Sequence, residues 1–305
     1  MITFLTIVFS ILTMTEFILG NFANGFIVLV NCIDWVKSRK VSCVDQILTV
    51  LAISRMGLLW VIEIYWIATM FNAASCNLKV FIIGNIIWIV SNHFSIWLVI
   101  SLSILYVLKI VSFSSVLFFY LKRRVHKVVL ILLLGSLPSL IFHLVKVSAD
   151  ENVWKNECGG NVTRKTKWND IVRLSSMSVF LVSNFIPFTM SLISFLLLIF
   201  SLWKHFKKMK KNGQEPQDLS SKVHIRAMQT VTSFLLLYTS YFVTVIISIW
   251  NSEMLKNEPF FHVCQILLAL YPSSHSFILI LGNKKLKEVF LSLLWQQRFQ
   301  SRGRK

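Results

Sequence analysis

The chain has 305 residues, of which 55% are hydrophobic and only 14% charged, with a mean hydropathy of +0.68. Soluble domains carry about 25% charged residues, and a soluble chain of this size buries only about 75% of the surface it exposes unfolded, so the natural solvent for the excess is lipid. The net charge of +18 would suit nucleic acid on a soluble basic face, but the basic residues cluster between apolar runs, which excludes that partner.

Seven stretches reach the roughly 20 apolar residues that a helix needs to cross a bilayer core of about 30 Å. They predict an all-α membrane protein, a seven-transmembrane helix bundle. The first, over 3–31, has no basic segment before it and no small-residue cleavage motif, so it reads as a retained signal anchor. The second covers 46–71 and the third 80–109. The fourth, 127–147, holds Pro138 and His143, and the fifth, 175–203, holds Pro187. The sixth covers 226–250, and the seventh, 259–282, holds Pro272. Neighbouring helices can satisfy the carbonyls that such prolines free, and kinks are expected at all three. Past Gly282, Leu286, Val289, Phe290, Leu293 and Leu294 recur at helical spacing. They predict a short amphipathic helix lying on membrane lipid, its lysines near anionic headgroups. The chain thus divides into a bundle, 1–283, and a cytosolic helix and tail, 284–305.

Lysine and arginine set the orientation. The first, third and fifth loops together with the tail carry 22 of them, the opposite side carries 8, and Arg55 lies within a span. The rich side is expected to be cytosolic. The chain is then a multi-pass plasma-membrane protein with its N-terminus outside and its C-terminus in the cytosol. Asn161-Val162-Thr163, the one N-x-[ST] sequon, falls in the longest outer loop, so Asn161 is the expected glycosylation site. Cys76 and Cys158 fall on the same side, and a bond between them is left open.

No catalytic or cofactor motif is present, the cysteines have no zinc spacing, and no enzyme is expected. The ionisable residues inside spans are Glu16, Arg55 and Glu63, and charges at that depth are functional candidates by default. Arg55 stands about ten residues, or roughly 15 Å at 1.5 Å per residue, into the second span. Asn24 and Ser274 or His275 lie at comparable depth, so a polar cluster is expected to join spans one, two and seven. A static clamp and a switch are both open readings. Glu63 lies about two turns further out, with Trp66 one turn beyond it, a pair read either as facing a ligand cavity or as pairing with a neighbouring helix. Trp88 and Asn92 are i,i+4 and share a face. An aromatic plate with an amide beneath it suits a mostly apolar ligand that needs one hydrogen bond, although core packing and an interhelical bond would use the same residues. Similar outer-half candidates are Asn184 and Phe188, Tyr241 and Val245, and Gln265 and Ala269. The opposite ends are basic and aromatic: Tyr106, Lys109, Phe113, Lys122, Arg123, His205, Lys208, Lys222 and His224. These read as orientation signal and lipid contact, or as a docking surface for a cytosolic partner.

Leu51-Ala52-Ile53-Ser54-Arg55 resembles the LAxSR motif of the bitter taste receptors, the type 2 taste receptor family. Asn21-Phe22-Ala23-Asn24-Gly25 resembles their span-one motif, and Asn92-His93-Phe94-Ser95-Ile96-Trp97 with Leu108-Lys109-Ile110 their span-three signature. Pro187-Phe188-Thr189, Leu202-Trp203-Lys204-His205, Lys222-Val223-His224-Ile225 and His275-Ser276-Phe277-Ile278-Leu279 continue the match along nearly the whole chain. The resemblance implies a G-protein-coupled receptor for bitter-tasting small-molecule agonists that activates a gustducin-like heterotrimeric G protein. By position it implies ligand contacts at Trp88, Asn92, Tyr241 and Gln265, and a switch role for Tyr241. There are departures. Val111-Ser112 stands where close relatives often have Ala-Asn, and Gln265 replaces an acid found in some relatives, so a cationic ligand would need another anchor such as Glu63. A secondary transporter, or a vomeronasal-type pheromone receptor, is the alternative. The oligomeric state is left open.

Overall fold

The computed structural model describes residues 4–38, 42–70, 78–110, 116–158, 184–201, 203–204, 207, 219–250 and 258–302. Within them the chain forms α1 (Phe4–Ser38), α2 (Cys43–Met70), α3 (Leu78–Ile110), α4 (Val116–Arg123), α5 (Val125–Cys158), α6 (Asn184–Ser201), α7 (Leu219–Trp250), α8 (Glu258–Gly282) and α9 (Lys284–Arg302), with no strand among the described residues. All but α4 and α9 contain a stretch long and apolar enough to cross a membrane, which gives the seven spans that hydropathy predicts.

Two boundaries differ from expectation. The segment between spans three and four, expected as a loop, holds α4. Its apolar run is too short to span but long enough for two turns. Arg124 then closes a turn, its backbone N–H donating to the Leu121 carbonyl at 3.1 Å, before α5 begins. α5 itself continues to Cys158, well past 147. Hydropathy marks where a helix leaves lipid, not where it ends, and the polar stretch after Val147 is unsuited to lipid but compatible with a helix. Pro138 and Pro272 lie inside α5 and α8 without ending either helix.

α1 packs along α2 and α8, α2 along α3 and α8, α7 along α8, and α3 along α5. One large apolar core joins these helices, with Ala23, Leu51, Ile100, Tyr238, Tyr271 and Ile280 fully buried. Leu130, Ile131, Leu134, Ile141, Phe142 and Val145 of α5 are exposed, as a lipid-facing surface requires. Lipid is as apolar as leucine, so helices in it associate through close packing and interhelical bonds. Gly20 shows the first. A Cβ there would stand 2.7 Å from Leu59 Cδ1 and 2.8 Å from Ser273 Cβ, so α1 meets α2 and α8 at a point where only glycine fits. Gly57 has the same role between α2 and α3, with Ser91 Oγ 2.5 Å from where its Cβ would be.

α9 is anchored by its first turns. Asn283 Oδ1 accepts the Leu286 N–H at 3.3 Å, an N-cap. Leu286 is fully buried in the bundle core, and Phe290 meets Phe26 edge-on with ring centroids 5.5 Å apart. Lys285 Nζ reaches Asp34 of α1 at 2.7 Å and Asp45 of α2 at 3.4 Å. The expected apolar face therefore divides: Leu286, Val289 and Phe290 pack on the bundle, while Leu293 and Leu294 are exposed beside Trp295.

Candidate functional site

Mid-bundle, α1, α2 and α8 meet through polar side chains. Asn24 is fully buried, and its amide donates to the Gly20 carbonyl at 2.8 Å and across to the Pro272 carbonyl at 3.2 Å. Ser276 Oγ donates to Asn24 Oδ1 at 2.7 Å and accepts from Arg55 Nη1 at 3.1 Å. Arg55 Nη2 donates to His275 Nδ1. The fully buried guanidinium also lies over the Tyr271 ring, 5.2 Å from its centroid, a favourable placement for a cation. Tyr271 stacks on His275, and its hydroxyl lies 3.3 Å from Ser95 Oγ of α3. Asn24, Arg55 and His275 are thus brought together as the sequence predicts, but the hydroxyl between them belongs to Ser276 and not to Ser274. Tyr241, for which the resemblance implies a switch role, bonds outside this cluster.

That bond leads to a cleft. Tyr241 Oη donates to Asn92 Oδ1 at 2.9 Å, joining α7 to α3 within the core. Asn92 also lines an open cleft between α3, α5 and α6 with a cavity volume of about 30 Å³. Trp88, Ile89, His93, Ile96 and Trp97 line it from α3, Ser139 and His143 from α5, and Asn184 and Pro187 from α6. Ser136 Oγ donates its one proton to the Leu133 carbonyl at 2.7 Å. The 3.0 Å contact between Ser136 Oγ and His93 Nε2 therefore has the imidazole N–H as donor, which fixes the ring against α5. The cleft offers indole faces, an amide and imidazole edges in an apolar setting, the composition of a small-molecule site.

The ten predicted ligand contacts do not form one pocket. Trp88, Asn92 and Asn184 line the cleft. Phe188 packs instead on Tyr238 and Phe242, at 6.1 and 6.2 Å between centroids, and Tyr238 Oη donates to the Asn184 carbonyl at 3.2 Å. Tyr241 and Val245 are core residues on the α7 side of Asn92. Glu63, Trp66, Gln265 and Ala269 are buried on α2 and α8, away from the cleft lining. His93, Ser139 and His143 were missed. The signal was present: Ser139 and His143 form a polar i,i+4 pair in an otherwise apolar span, and such pairs face the bundle.

Of the basic-end candidates, Lys122 and Arg123 are exposed at the end of α4, and Tyr106 is half-buried against the core. Lys109, Lys222 and His224 lie on α3 and α7, with side chains outside what is described. Phe113, His205, Lys208, Asn161 and Cys76 lie outside the described residues, as does the side chain of Cys158.

Comparison with known proteins gives the same direction throughout. A family model described as taste receptor protein (TAS2R) matches residues 1–298. Taste receptor type 2 member 20 of Homo sapiens is 55% identical over 303 residues, 99% of this chain and 98% of that protein. The Pan paniscus protein of the same name is also 55% identical, with the same coverage. Putative taste receptor type 2 member 33 of Homo sapiens is 54% identical over 305 residues, 100% of this chain and 99% of its own.

Proposed function

This chain belongs to the taste receptor type 2 family, the bitter-taste G-protein-coupled receptors, and from that premise we propose that a bitter small molecule is read at the cleft beside Asn92 and reported to a gustducin-like heterotrimeric G protein. The observation that carries this reading is the Tyr241–Asn92 bond at 2.9 Å. One amide faces both the cleft and the interface of α3 with α7. An agonist that stacks on Trp88 and donates a hydrogen bond to Asn92 Oδ1 competes with Tyr241 for the acceptor that joins α7 to α3. Agonist binding then favours whichever arrangement of α7 frees that amide, a population shift. Because Tyr271 touches both Tyr241 and His275, a displacement of α7 is felt at Arg55.

The transducing end is the one that carries α4 and α9. Tyr106, Lys109, Phe113, Lys122, Arg123, His205, Lys208, Lys222 and His224 are the proposed contacts there, with the exposed edge of α9 on lipid. By linkage, bound G protein tightens agonist binding by the same factor that agonist tightens the G protein. The N-terminus and a glycan on Asn161 belong on the opposite, extracellular side.

The test is a calcium-response screen of bitter compounds in cells that express the chain with a chimeric G protein. For an agonist found there, Trp88→Ala and Asn92→Ala are each expected to lower potency by about tenfold or more, equivalent to about 1.4 kcal/mol of binding, at unchanged surface expression. Unchanged potency in both variants overturns the assignment of the cleft.

A further inference from the structure

At the end of the bundle where α9 docks, a hydroxyl and an ammonium meet at one carboxylate oxygen. Ser42 stands one residue before α2 and caps it. Its carbonyl accepts the Gln46 N–H at 3.1 Å, and its Oγ accepts the Asp45 N–H at 3.1 Å. The same Oγ donates to Asp45 Oδ2 at 2.8 Å. Lys285 Nζ of α9 lies 3.4 Å from that oxygen and 2.7 Å from Asp34 Oδ2 of α1. Ser42 and Lys285 are therefore both neighbours of Asp45 Oδ2, and α9 is tied to the first turn of α2 at this point. Ser42 is exposed, and the cap uses only a lone pair of its oxygen, which leaves the hydroxyl proton replaceable.

The sequence before this hydroxyl is basic. Arg39-Lys40-Val41-Ser42 is the one place in the chain where two adjacent basic residues precede a serine or threonine across a single residue, and Lys37 adds a third charge. Such a run complements an acidic groove by charge-assisted hydrogen bonds, the groove of a serine/threonine kinase that selects basic substrates. Ser292 of α9 is also exposed, but it lies inside a helix with its hydroxyl donating to the Val289 carbonyl at 2.8 Å. A kinase groove takes an extended chain, which Ser292 does not offer. Ser42 precedes the first helical residue of α2.

We infer that Ser42 is a phosphorylation site for a kinase of that class and that its phosphate is received by Lys285. In the transfer, Ser42 Oγ forms a bond to the γ-phosphorus of ATP, the bond from that phosphorus to the bridging oxygen breaks, and ADP leaves. The hydroxyl proton passes to the catalytic aspartate of the kinase. The product carries about −1.5 to −2 charge and three acceptor oxygens. It still accepts from the first turn of α2, where a helix N-terminus favours an anion. It has lost the donor that held Asp45 Oδ2, and it sets a like charge beside that carboxylate. Lys285, already on the same oxygen, is the cation within reach, so the tie between α9 and α2 passes from carboxylate to phosphate. The inference rests on the cytosolic placement of the first loop and on none of the cleft residues.

The experiment incubates the purified full-length chain, in detergent micelles, with ATP and the catalytic subunit of cAMP-dependent protein kinase, and maps phosphopeptides by mass spectrometry. Micelles open both ends of the bundle to the kinase, so this arm does not depend on orientation. Phosphate is expected at Ser42, and Ser42→Ala is expected to remove it. Arg39→Gln with Lys40→Gln leaves the serine and its cap in place and is expected to slow transfer to Ser42 by about tenfold or more. Phosphorylation is expected to lower the melting temperature more in Lys285→Gln than in wild type, because the phosphate then faces Asp34 and Asp45 without their cation. Lys285→Arg is expected to respond as wild type does, which guards against a merely unfolded variant. No phosphate at Ser42, an unchanged rate in the Arg39 and Lys40 variant, or equal melting shifts with and without Lys285 overturns the inference. Phosphate on the purified chain but none on the chain from kinase-activated cells overturns it as well, and epitope staining of the two termini then shows whether orientation is the cause.

Discussion

Ser276 and Ser274 stand two residues apart on α8, and only one of them matters to Arg55. Ser276 Oγ accepts from Arg55 Nη1 and donates to Asn24 Oδ1, while Ser274 is only half-buried. Depth in the membrane is legible from sequence because it is a count of residues. The face that a residue presents is not, because the rotation of α8 is set by its packing on Gly20 and by the Asn24 bond to the Pro272 carbonyl. The expected cluster thus has the right level and partly the wrong serine. Ser276→Ala removes the acceptor from a buried guanidinium and the donor from a buried amide, and it is expected to lower stability by about 1–3 kcal/mol. Ser274→Ala is expected to stay within about 0.5 kcal/mol, as substitutions away from such networks do. Melting of the two purified variants against wild type checks this, and equal losses would refute the ranking.

At the scale of helices, the spans were readable and their contacts were not. Lipid allows a backbone no exposed unpaired groups, so a run of about 20 apolar residues has one outcome, and seven such runs gave seven helices. α4 and the long end of α5 lie where water relaxes that constraint, and hydropathy marked neither. The cleft was half visible: Trp88, Asn92 and Asn184 were named, but the partners across it, Ser139 and His143, depend on α5 packing against α3. Helix proximity rests on small residues instead. Gly20→Ala places a methyl group 2.7 Å from Leu59 Cδ1 and 2.8 Å from Ser273 Cβ. The leucine tip can turn away, but the serine Cβ is fixed to its backbone, so α1 and α8 must separate. A loss of about 1–3 kcal/mol is expected from this overpacking. Gly25→Ala, where an added Cβ meets nothing within 4 Å, is the control and is expected to be neutral or slightly stabilising, since alanine favours a helix by about 1 kcal/mol over glycine. Comparable melting of the two variants would mean that close approach at Gly20 does not hold α1 in place.

For the whole molecule the open quantity is direction, since a bundle of seven apolar helices is the same object inverted. We propose it from the charge asymmetry. The side that holds the first, third and fifth loops and the tail carries 22 of the 31 lysines and arginines, and basic residues resist translocation. The same side holds the Lys285 bridge to Asp34 and Asp45 and the seat of α9. A helix docked on the bundle by a buried leucine and an ion pair holds its exposed leucines and Trp295 in place, the surface proposed to lie on anionic lipid. These charges and the expected glycan on Asn161 require opposite faces, so one labelling experiment tests both. An epitope placed before Met1 is expected to be stained on intact cells, and one placed after Lys305 only after permeabilisation. Asn161→Gln is expected to abolish any shift in gel mobility caused by glycosidase. Staining of the C-terminal epitope on intact cells would reverse the bundle, put the cleft on the cytosolic side, and remove the route by which an extracellular tastant reaches it.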